Sequence, residues 1–579
     1  MELFNNFNKK FSFKNAGYQL PPIELFYSSE DTEKYEPLQI IKAILNYVKS
    51  KLNDKKIEEW SEHTRRRNPA QQIVFHLKNS IKGEFVTQAF AKFYECLSSY
   101  KMIHDGVSEK FFSVHLCECP GAFITSLNHY LKTNHPHTEF TWRATTLNPY
   151  YEGNSISNTI LDDRFMVYTL PNWFFGETYS GDITDEGNIR SLVDYCKTIA
   201  DVDLVTCDGS IDCLDKPQAQ EEYVSQLHTA EFITSLALLR EGGSMLIKLF
   251  TFFELSTVSL LFVLNCCFEQ VHIFKPSTSK EGNSEVYVIC LNFRRNLVSN
   301  TNLIEHLLKN FKREGKSMLP LSAIPHDFLD QVTNAARFFM NQQVAVIENN
   351  IRTFRKYDKR EYERIKMIKF QMVEEYIKLY RMQAIDESQK LLHGVVFNTD
   401  INLNERVHRG SHSERLSFQN VTKNEQLQIL CDRLRDFYER IPEQPLLPSN
   451  KEQNIDLSIS PENFIRLIRG KPIERVLSSK FIVVSIFKFF LELRSFLSDL
   501  TQEEGTYTGR NFIFHDDNFL SLEMEYFRRT PSYDSYEKDI AIKILNHIYD
   551  EKLESFIVEA LPLLTQFLVG VILYLASKI

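Results

Sequence analysis

The stretch VDLVTCDGS at residues 202–210 decides the fold. Its apolar run stops at Asp208, as a buried strand does where it enters a polar loop. Apolar residues then recur at helical spacing through residues 227–239, and the glycines at 242–243 predict the end of that helix. A second apolar run, SMLIKLF, follows at residues 244–250. This order predicts a strand–helix–strand unit of a parallel sheet.

Each of these two predicted strands carries one charge where its apolar run ends, Asp208 in the first and Lys248 in the second. An unpaired charge buried there costs several kcal/mol, roughly. One interpretation is an ion pair within the sheet. The other is an active site at the carboxyl ends of the strands, where open α/β sheets bind ligands. The flanking segments favour the active site because they supply its other parts.

A turn suited to ligand binding precedes this unit. Residues 111–117 form an apolar run that predicts a buried strand, and Pro120-Gly121 separates it from a predicted helix at residues 124–131. Glycine allows close approach of the backbone to a ligand, and a helix N-terminus offers unpaired N–H groups. The turn matches neither the dinucleotide-binding nor the phosphate-loop pattern, which argues against NAD and ATP.

Two further ionisable residues lie at the margins of predicted core elements. Lys92 falls within a predicted helix at residues 84–98, and Glu285 begins an apolar strand at residues 285–291. With the two charges above they make a set of two lysines and two carboxylates. Because half of the set is cationic and no His/carboxylate cluster accompanies it, the set predicts no metal site.

The length predicts several domains, since 579 residues exceed one hydrophobic core. We divide the chain into an N-terminal extension (1–70), a catalytic domain (71–325), a helical linker (326–395) and a non-catalytic C-terminal domain (396–579). The uncharged, apolar residues 560–577 are interpreted as a core helix, with a membrane tail anchor as the alternative.

Net charge and cysteine spacing bear on RNA binding and on the redox state of the cysteines. A net charge of −9 gives no general affinity for polyanions, so any RNA contact must come from local basic patches such as Arg65-Arg66-Arg67. The basic residues between 352 and 369 are interpreted as a solvated helix, with an RNA-contact surface as the alternative. The ten cysteines show no Cys-x-x-Cys spacing, which is typical of reduced core cysteines in an intracellular protein.

Taken as a set, several motifs between residues 84 and 293 resemble those of the FtsJ-like RNA 2′-O-ribose methyltransferases. The motifs are Pro120-Gly121-Ala122-Phe123, Asp208-Gly209-Ser210, Lys248, Ser284-Glu285-Val286-Tyr287, and the segments 87–93, 146–152 and 275–280. The resemblance implies an α/β, Rossmann-like methyltransferase domain with a mixed, mostly parallel sheet. A helical or degenerate α/β C-terminal region would follow it.

The resemblance also implies chemistry for individual residues. It implies S-adenosylmethionine as methyl donor and a catalytic tetrad of Lys92, Asp208, Lys248 and Glu285. The donor-binding residues that it implies are Pro120, Gly121, Ala122, Phe123, Phe140, Asp182 and Asp208. The implied substrate is capped mRNA, methylated on the ribose of the second transcribed nucleotide, and the implied location is the nucleus and cytoplasm. The core-helix interpretation of residues 560–577 predicts no membrane partner.

Lys248 is expected to be the general base, with a pKa lowered by burial and by Lys92. Two positions depart from the family pattern: His115 stands where an acid is usual, and Ala122 where a second glycine is frequent. Glu118 is a candidate for the missing carboxylate. Three alternatives stay open: the same chemistry on the first cap nucleotide or another RNA, a catalytically inactive cap- or RNA-binding protein, and a tail-anchored membrane protein.

Overall fold

The structure, a computed structural model, describes residues 7–397 apart from short gaps, and beyond them residues 411–413, 425, 428 and 432. The gaps are residues 8, 16, 30–32, 105–108, 156–157, 214–216, 313–315, 357 and 396. The predictions for the C-terminal domain and for the apolar stretch 560–577 therefore lie outside the described residues.

One seven-stranded sheet organises the described residues. Its strands are β1 (Lys10–Ser12), β2 (Lys110–Leu116), β3 (Glu139–Thr145), β4 (Val202–Cys207), β5 (Leu239–Leu249), β6 (Phe268–Phe274) and β7 (Val286–Phe293). Their order across the sheet is β1-β6-β7-β5-β4-β2-β3. Strands β3, β2, β4 and β5 pair in parallel, whereas the pairs β5–β7, β7–β6 and β6–β1 are antiparallel. The predicted mixed α/β sheet is confirmed.

Helices cover both faces of this sheet. They are α1 (Glu36–Ser50), α2 (Ile57–Arg67), α3 (Gln71–Asn79), α4 (Gln88–Ser99), α5 (Ala122–Asn134), α6 (Met166–Thr169), α7 (Glu186–Lys197), α8 (Gln220–Leu238), α9 (Leu255–Cys267), α10 (Arg295–Ser299), α11 (Leu303–Asn310), α12 (His326–Thr353) and α13 (Lys359–Leu379). Short 3₁₀ turns lie at Ile23–Leu25, Leu170–Asn172, Pro217–Ala219, Leu321–Ala323 and Glu387–Gln389.

Alternation along the strands explains the two covered faces. In β4, Val205 packs in the core that contains α7, α8 and α9, while its neighbour Leu204 packs in the core that contains α4 and α5. Successive strand residues point to opposite faces, so a strand buried on both sides reads as a continuous apolar run. This is why the runs around β4 and β5 were apolar throughout.

The end of α8 differs from the prediction. The helix ends at Leu238, and residues 239–243 already belong to β5. Leu239 pairs with Val202 of β4, and the register then shifts before Leu204 pairs with Ser244. Gly242 has a φ of +74°, which a strand irregularity can require as readily as a helix end does. The glycines therefore shape the strand entry rather than a helix stop.

The segments on either side of the predicted catalytic domain pack against it. β1 is an edge strand of the same sheet, paired with β6. α12 contributes to the core that contains α8, and Tyr376 of α13 donates to the Ala91 carbonyl of α4 at 2.9 Å. The domain boundaries themselves stay a prediction. Among the described helices, none is both long and apolar enough to span a membrane.

Candidate active site

The four predicted catalytic residues meet at one edge of the sheet. Asp208 follows the last residue of β4, and Lys248 is the penultimate residue of β5. β7 runs antiparallel to β5, so its amino end, just after Glu285, reaches the edge where β4 and β5 end. Lys92 extends to the same edge from α4. Thr87 caps the start of this helix, and its side chain accepts a hydrogen bond from the Phe90 amide.

The four residues form two ion pairs. Lys92 Nζ lies 2.6 Å from Glu285 Oε1, and Lys248 Nζ lies 3.0 Å from Asp208 Oδ1. Lys248 also donates to the backbone carbonyl of Asp208 at 2.6 Å. The Ser279 hydroxyl donates to Glu285 Oε1 at 2.8 Å. The ion-pair interpretation of the strand-end charges is therefore confirmed, and the pair lies at the carboxyl ends of β4 and β5, where the active-site interpretation expects a ligand.

Charge coupling determines the protonation of these groups. Burial alone would raise the pKa of Glu285, but Lys92 and Lys248 lower it to about 2. For Lys248, burial favours a lower pKa, yet the carboxylates of Asp208 and Glu285 outweigh burial and raise it. The expectation of a lowered pKa for Lys248 is thus wrong, because its nearest charged neighbour is a carboxylate and not Lys92.

A cavity of about 1020 Å³ opens at this edge. All four tetrad residues line it, together with Asp182. Other lining residues include Gln88, Cys117, Cys119, Thr146, Leu147, Asn154, Gly181, Ile183, Thr184 and Ser284. Its size suits a nucleoside-sized ligand with room for a second group.

The predicted Pro120-Gly121 turn lies behind the cavity wall. Gly121 has a φ of +112°, and a Cβ there would lie 2.3 Å from the Phe165 ring, so only glycine fits. Phe123 is buried in the core and stacks on Phe93 with ring centroids 4.4 Å apart. Cys117 and Cys119, which precede the turn, line the cavity. Its lining does not include the predicted donor-binding residues Pro120, Gly121, Ala122 and Phe123.

The structure does not bring Phe140 to the cavity. Phe140 is the second residue of β3 and pairs with Phe111, the second residue of β2. The cavity lies at the other end of these parallel strands, beside Cys117 and Thr146. Sequence reasoning placed the ring on the correct strand but at the wrong end of it.

His115 and Glu118 are both buried within the sheet region. The His115 ring bonds the Ser113 and Thr206 hydroxyls at 2.8 and 2.7 Å, and burial lowers its pKa to about 3, so it is neutral. Glu118 Oε1 accepts from the Phe123 amide at 2.8 Å, and burial raises the pKa of Glu118 well above its usual range. Neither side chain lines the cavity.

Two residues at the site were missed from the sequence. Gly181, beside Asp182, has a φ of +72°, and a Cβ there would lie 1.8 Å from the Thr146 carbonyl oxygen. Glu231 of α8 is fully buried and accepts from the Gly209 amide at 2.9 Å, which holds the loop after β4. A single acid within the apolar run 230–237 was the signal for Glu231. No local pattern distinguished Gly181.

Comparison with known proteins identifies the family of this chain. A family model described as FtsJ-like methyltransferase matches residues 85–293. A Drosophila melanogaster protein named cap-specific mRNA (nucleoside-2′-O-)-methyltransferase 2 is 41% identical over 487 residues, which cover 82% of this chain and 68% of the fly protein. The chain belongs to the family of cap-specific mRNA (nucleoside-2′-O-)-methyltransferase 2.

Vertebrate members of the cap-specific methyltransferase family match at similar identity. Proteins of the same name from Pongo abelii and Danio rerio are 39% and 40% identical, over 68% and 65% of this chain. The chain spans only 52% and 51% of their lengths, about half. The family match covers every residue of the tetrad and the whole cavity edge from β2 to β7.

Proposed function

We propose that this protein transfers a methyl group from S-adenosylmethionine to the 2′-hydroxyl of the second transcribed nucleotide of capped mRNA. The observation that carries the proposal is the pair of ion pairs, Lys92–Glu285 and Lys248–Asp208, on the wall of one large cavity. Two ammonium groups held by carboxylates can bind and polarise a hydroxyl without a metal ion.

The cavity suits the proposed donor in charge and shape. Asp182 and Asp208 provide carboxylates that can accept from hydroxyl or amino groups, and Thr184 fixes Asp182 by donating to its Oδ1 at 2.7 Å. Gly181 leaves its part of the wall without a side chain. When bound, S-adenosylmethionine supplies a methyl group on a positively charged sulfur. The residues that would hold it are Asp182, Asp208 and the backbone around Cys117 and Gly181.

The tetrad then has a defined task. Lys92, fixed by Glu285, orients the ribose hydroxyl, while Lys248 removes its proton. Since the pKa of Lys248 is raised in the free protein, Lys248 is an ammonium at neutral pH and must lose its own proton before it can act as a base. The reaction should therefore accelerate as pH rises above neutral.

The substrate rests on the family. The relatives are named for a nucleoside 2′-O-methyltransferase specific for the mRNA cap. The alternative substrates are the first transcribed nucleotide and other RNAs, because the tetrad chemistry is the same for any ribose hydroxyl.

A labelling experiment tests the proposal. Purified full-length protein is incubated with S-adenosylmethionine labelled in its methyl group and a short RNA capped with 7-methylguanosine, and the RNA is then digested and its nucleotides separated. We expect label on the ribose of the second nucleotide. Label on the first nucleotide, or equally on uncapped RNA, would overturn the substrate assignment. No label, with no donor binding by calorimetry, would overturn the enzymatic assignment as well.

A further inference from the structure

A second cavity of about 1150 Å³ adjoins the first. It lies among α1, α2, α3, α12 and α13, on the side of the site away from Asp182. Gln88, Lys280, Asn283 and Ser284 line both cavities. The two cavities are therefore continuous, and Ser284 directly precedes Glu285 of the tetrad.

The lining of this second cavity is rich in cations. Its charged residues are Lys49, Lys55, Arg65, Arg67, Lys280 and Arg364 against Glu58, Glu62 and Glu281. Two of the three acids are already paired outside the cation set: Glu62 with Arg66, and Glu281 with Lys9 at 3.0 Å. Of the cations, Arg67 and Arg364 share Glu361, which lies outside the lining. The surplus left by the other cations is positive, in a protein whose net charge is −9.

Lys49 is the cation at the junction of the cavities. Its Nζ donates to the Ser284 hydroxyl at 2.9 Å, and that hydroxyl donates to Gln343 Oε1 at 3.1 Å. Within the described part of the chain, no carboxylate lies within ion-pair distance of Lys49. Burial lowers the pKa of Lys49 to about 8, yet this still leaves it charged at neutral pH. The Glu221 carboxylate acts on Lys49 only from beyond ion-pair distance and offsets burial only in part, so this partly buried cation lacks the direct counter-charge that such a group normally has.

A second cation that lines the cavity, Arg67, has a donor without an acceptor. Arg67 Nη2 pairs with Glu361 at 2.8 Å, but its Nε is buried and has no hydrogen-bond partner among the described residues. Arg65, two residues earlier in α2, is exposed and makes no ion pair within the described residues. Buried donors without acceptors are uncommon in folded proteins, and an anion would satisfy them.

A tryptophan also lines the cavity. Trp60 lines it, with its ring 5.9 Å from His63 and 5.5 Å from Phe354, centroid to centroid. An aromatic face beside unpaired cations is the combination by which proteins hold single-stranded nucleic acid, since bases stack while phosphates meet Lys and Arg.

We propose that this second cavity binds a phosphate group of the substrate RNA next to the target ribose, through Lys49 with Arg67 and Arg65. This inference rests on the proposed function for the identity of the RNA. The phosphate is either a bridging phosphate of the cap or a phosphodiester between transcribed nucleotides, and both offer the same anionic oxygens. In this proposal, Arg65 and Arg67 of the basic cluster at residues 65–67 contact an RNA phosphate.

The test measures RNA binding in the absence of donor. Lys49→Met removes the charge and keeps the apolar stem, and Lys49→Arg keeps the charge. Lys51→Met is the matched control, because Lys51 lies two residues further along the chain and does not line the cavity. Lys51 makes a 3.4 Å pair with the exposed Glu348 and lies over the Tyr47 ring. Affinity is measured by fluorescence anisotropy over a series of salt concentrations, with capped RNA and with the same RNA carrying a 5′-hydroxyl.

We expect Lys49→Met to weaken binding about tenfold and to lower the slope of log affinity against log salt by about one. Lys49→Arg and Lys51→Met should bind like the wild type. An effect on both RNAs assigns a phosphodiester, and an effect on the capped RNA alone assigns the cap phosphates. Unchanged affinity and slope in Lys49→Met, or an equal loss in Lys51→Met, would overturn the proposal. Donor affinity, measured separately by calorimetry, should stay at the wild-type value, and its loss in Lys49→Met would also overturn it. Because the readout is binding, it does not depend on whether methyl transfer occurs.

Discussion

Replacing Glu285 by glutamine tests whether the tetrad is held by charge. The Glu285 side chain is 12% exposed, and its Oε1 lies 2.6 Å from Lys92 Nζ. Glutamine has nearly the same shape and can still accept the hydrogen bond from Ser279. The substitution therefore removes the negative charge and leaves Lys92 without its counter-charge, while it creates no cavity.

The size of the effect follows from the pKa of Glu285. Lys92 and Lys248 bring this pKa from its usual 4.5 down to about 2 against the opposing effect of burial. A difference of that size corresponds to about 3 kcal/mol of favourable interaction between the carboxylate and its surroundings. Because the pKa is lowered on folding, this stabilisation is fully present above pH 4.5 and is lost as the pH falls toward 2.

The assay is urea unfolding followed by tryptophan fluorescence at several pH values. Trp142 and Trp173 are buried in the sheet domain, so their emission reports its unfolding. At pH 7 we expect Glu285→Gln to lower the free energy of unfolding by about 3 kcal/mol. The difference from the wild type should shrink as the pH is lowered below about 4.5.

Ser279→Ala is the matched control. It deletes the hydrogen bond from the hydroxyl to the Glu285 carboxylate, 2.8 Å long, and leaves both charges in place, so it should cost about 1.5 kcal/mol, with a smaller pH dependence than Glu285→Gln. If Glu285→Gln lowered the free energy of unfolding at pH 7 by no more than Ser279→Ala does, the charge coupling argued for the tetrad would be refuted.

Three further predictions concern the same edge of the sheet. Lys248→Met should reduce methyl transfer at least about 100-fold while donor affinity by calorimetry is nearly unchanged, and a tenth of wild-type turnover would exclude Lys248 as the base. In the wild type, kcat should rise up to about tenfold per pH unit from neutral pH into the alkaline range, because the pKa of Lys248 is raised and little of its amine is neutral at pH 7. A flat pH profile would contradict the role of Lys248 as general base. Gly181→Ala should cost at least about 2 kcal/mol in urea unfolding, because φ is +72° and the new Cβ would lie 1.8 Å from the Thr146 carbonyl oxygen. Its control is Gly17→Ala, where φ is +73° but nothing lies within 4 Å, so an equal loss in both variants would mean that the contact with Thr146 is unimportant.

The pattern of apolar residues was sufficient to predict the two strands that carry Asp208 and Lys248 at their ends. The apolar runs of β4 and β5 predicted both strands and their parallel pairing, because strands buried on both faces leave no polar alternation to misread. It failed at residues 239–243, where the same glycines fit a helix end and a strand irregularity. The pairing of Leu239 with Val202, which is distant in sequence, makes this segment a strand.

The residues of the tetrad could be named from the sequence, but their electrostatics could not. A lysine in a strand and an acid after another strand are visible as departures from apolar runs. The direction of the pKa of Lys248 depends on whether a carboxylate or a second lysine lies closer, and this is a distance between separate elements. Phe140 was likewise on the correct strand but at the end opposite the cavity.

The sequence by itself determined the fold class, the family and the four charged residues of the tetrad, because each leaves a local mark in the order of residues. Only the tertiary structure decided that Lys92 pairs with Glu285 and Lys248 with Asp208, and that Lys49 lies beside Ser284 without a carboxylate. Such pairings join residues tens to hundreds of positions apart, and electrostatic energy depends on their separation in space, not along the chain.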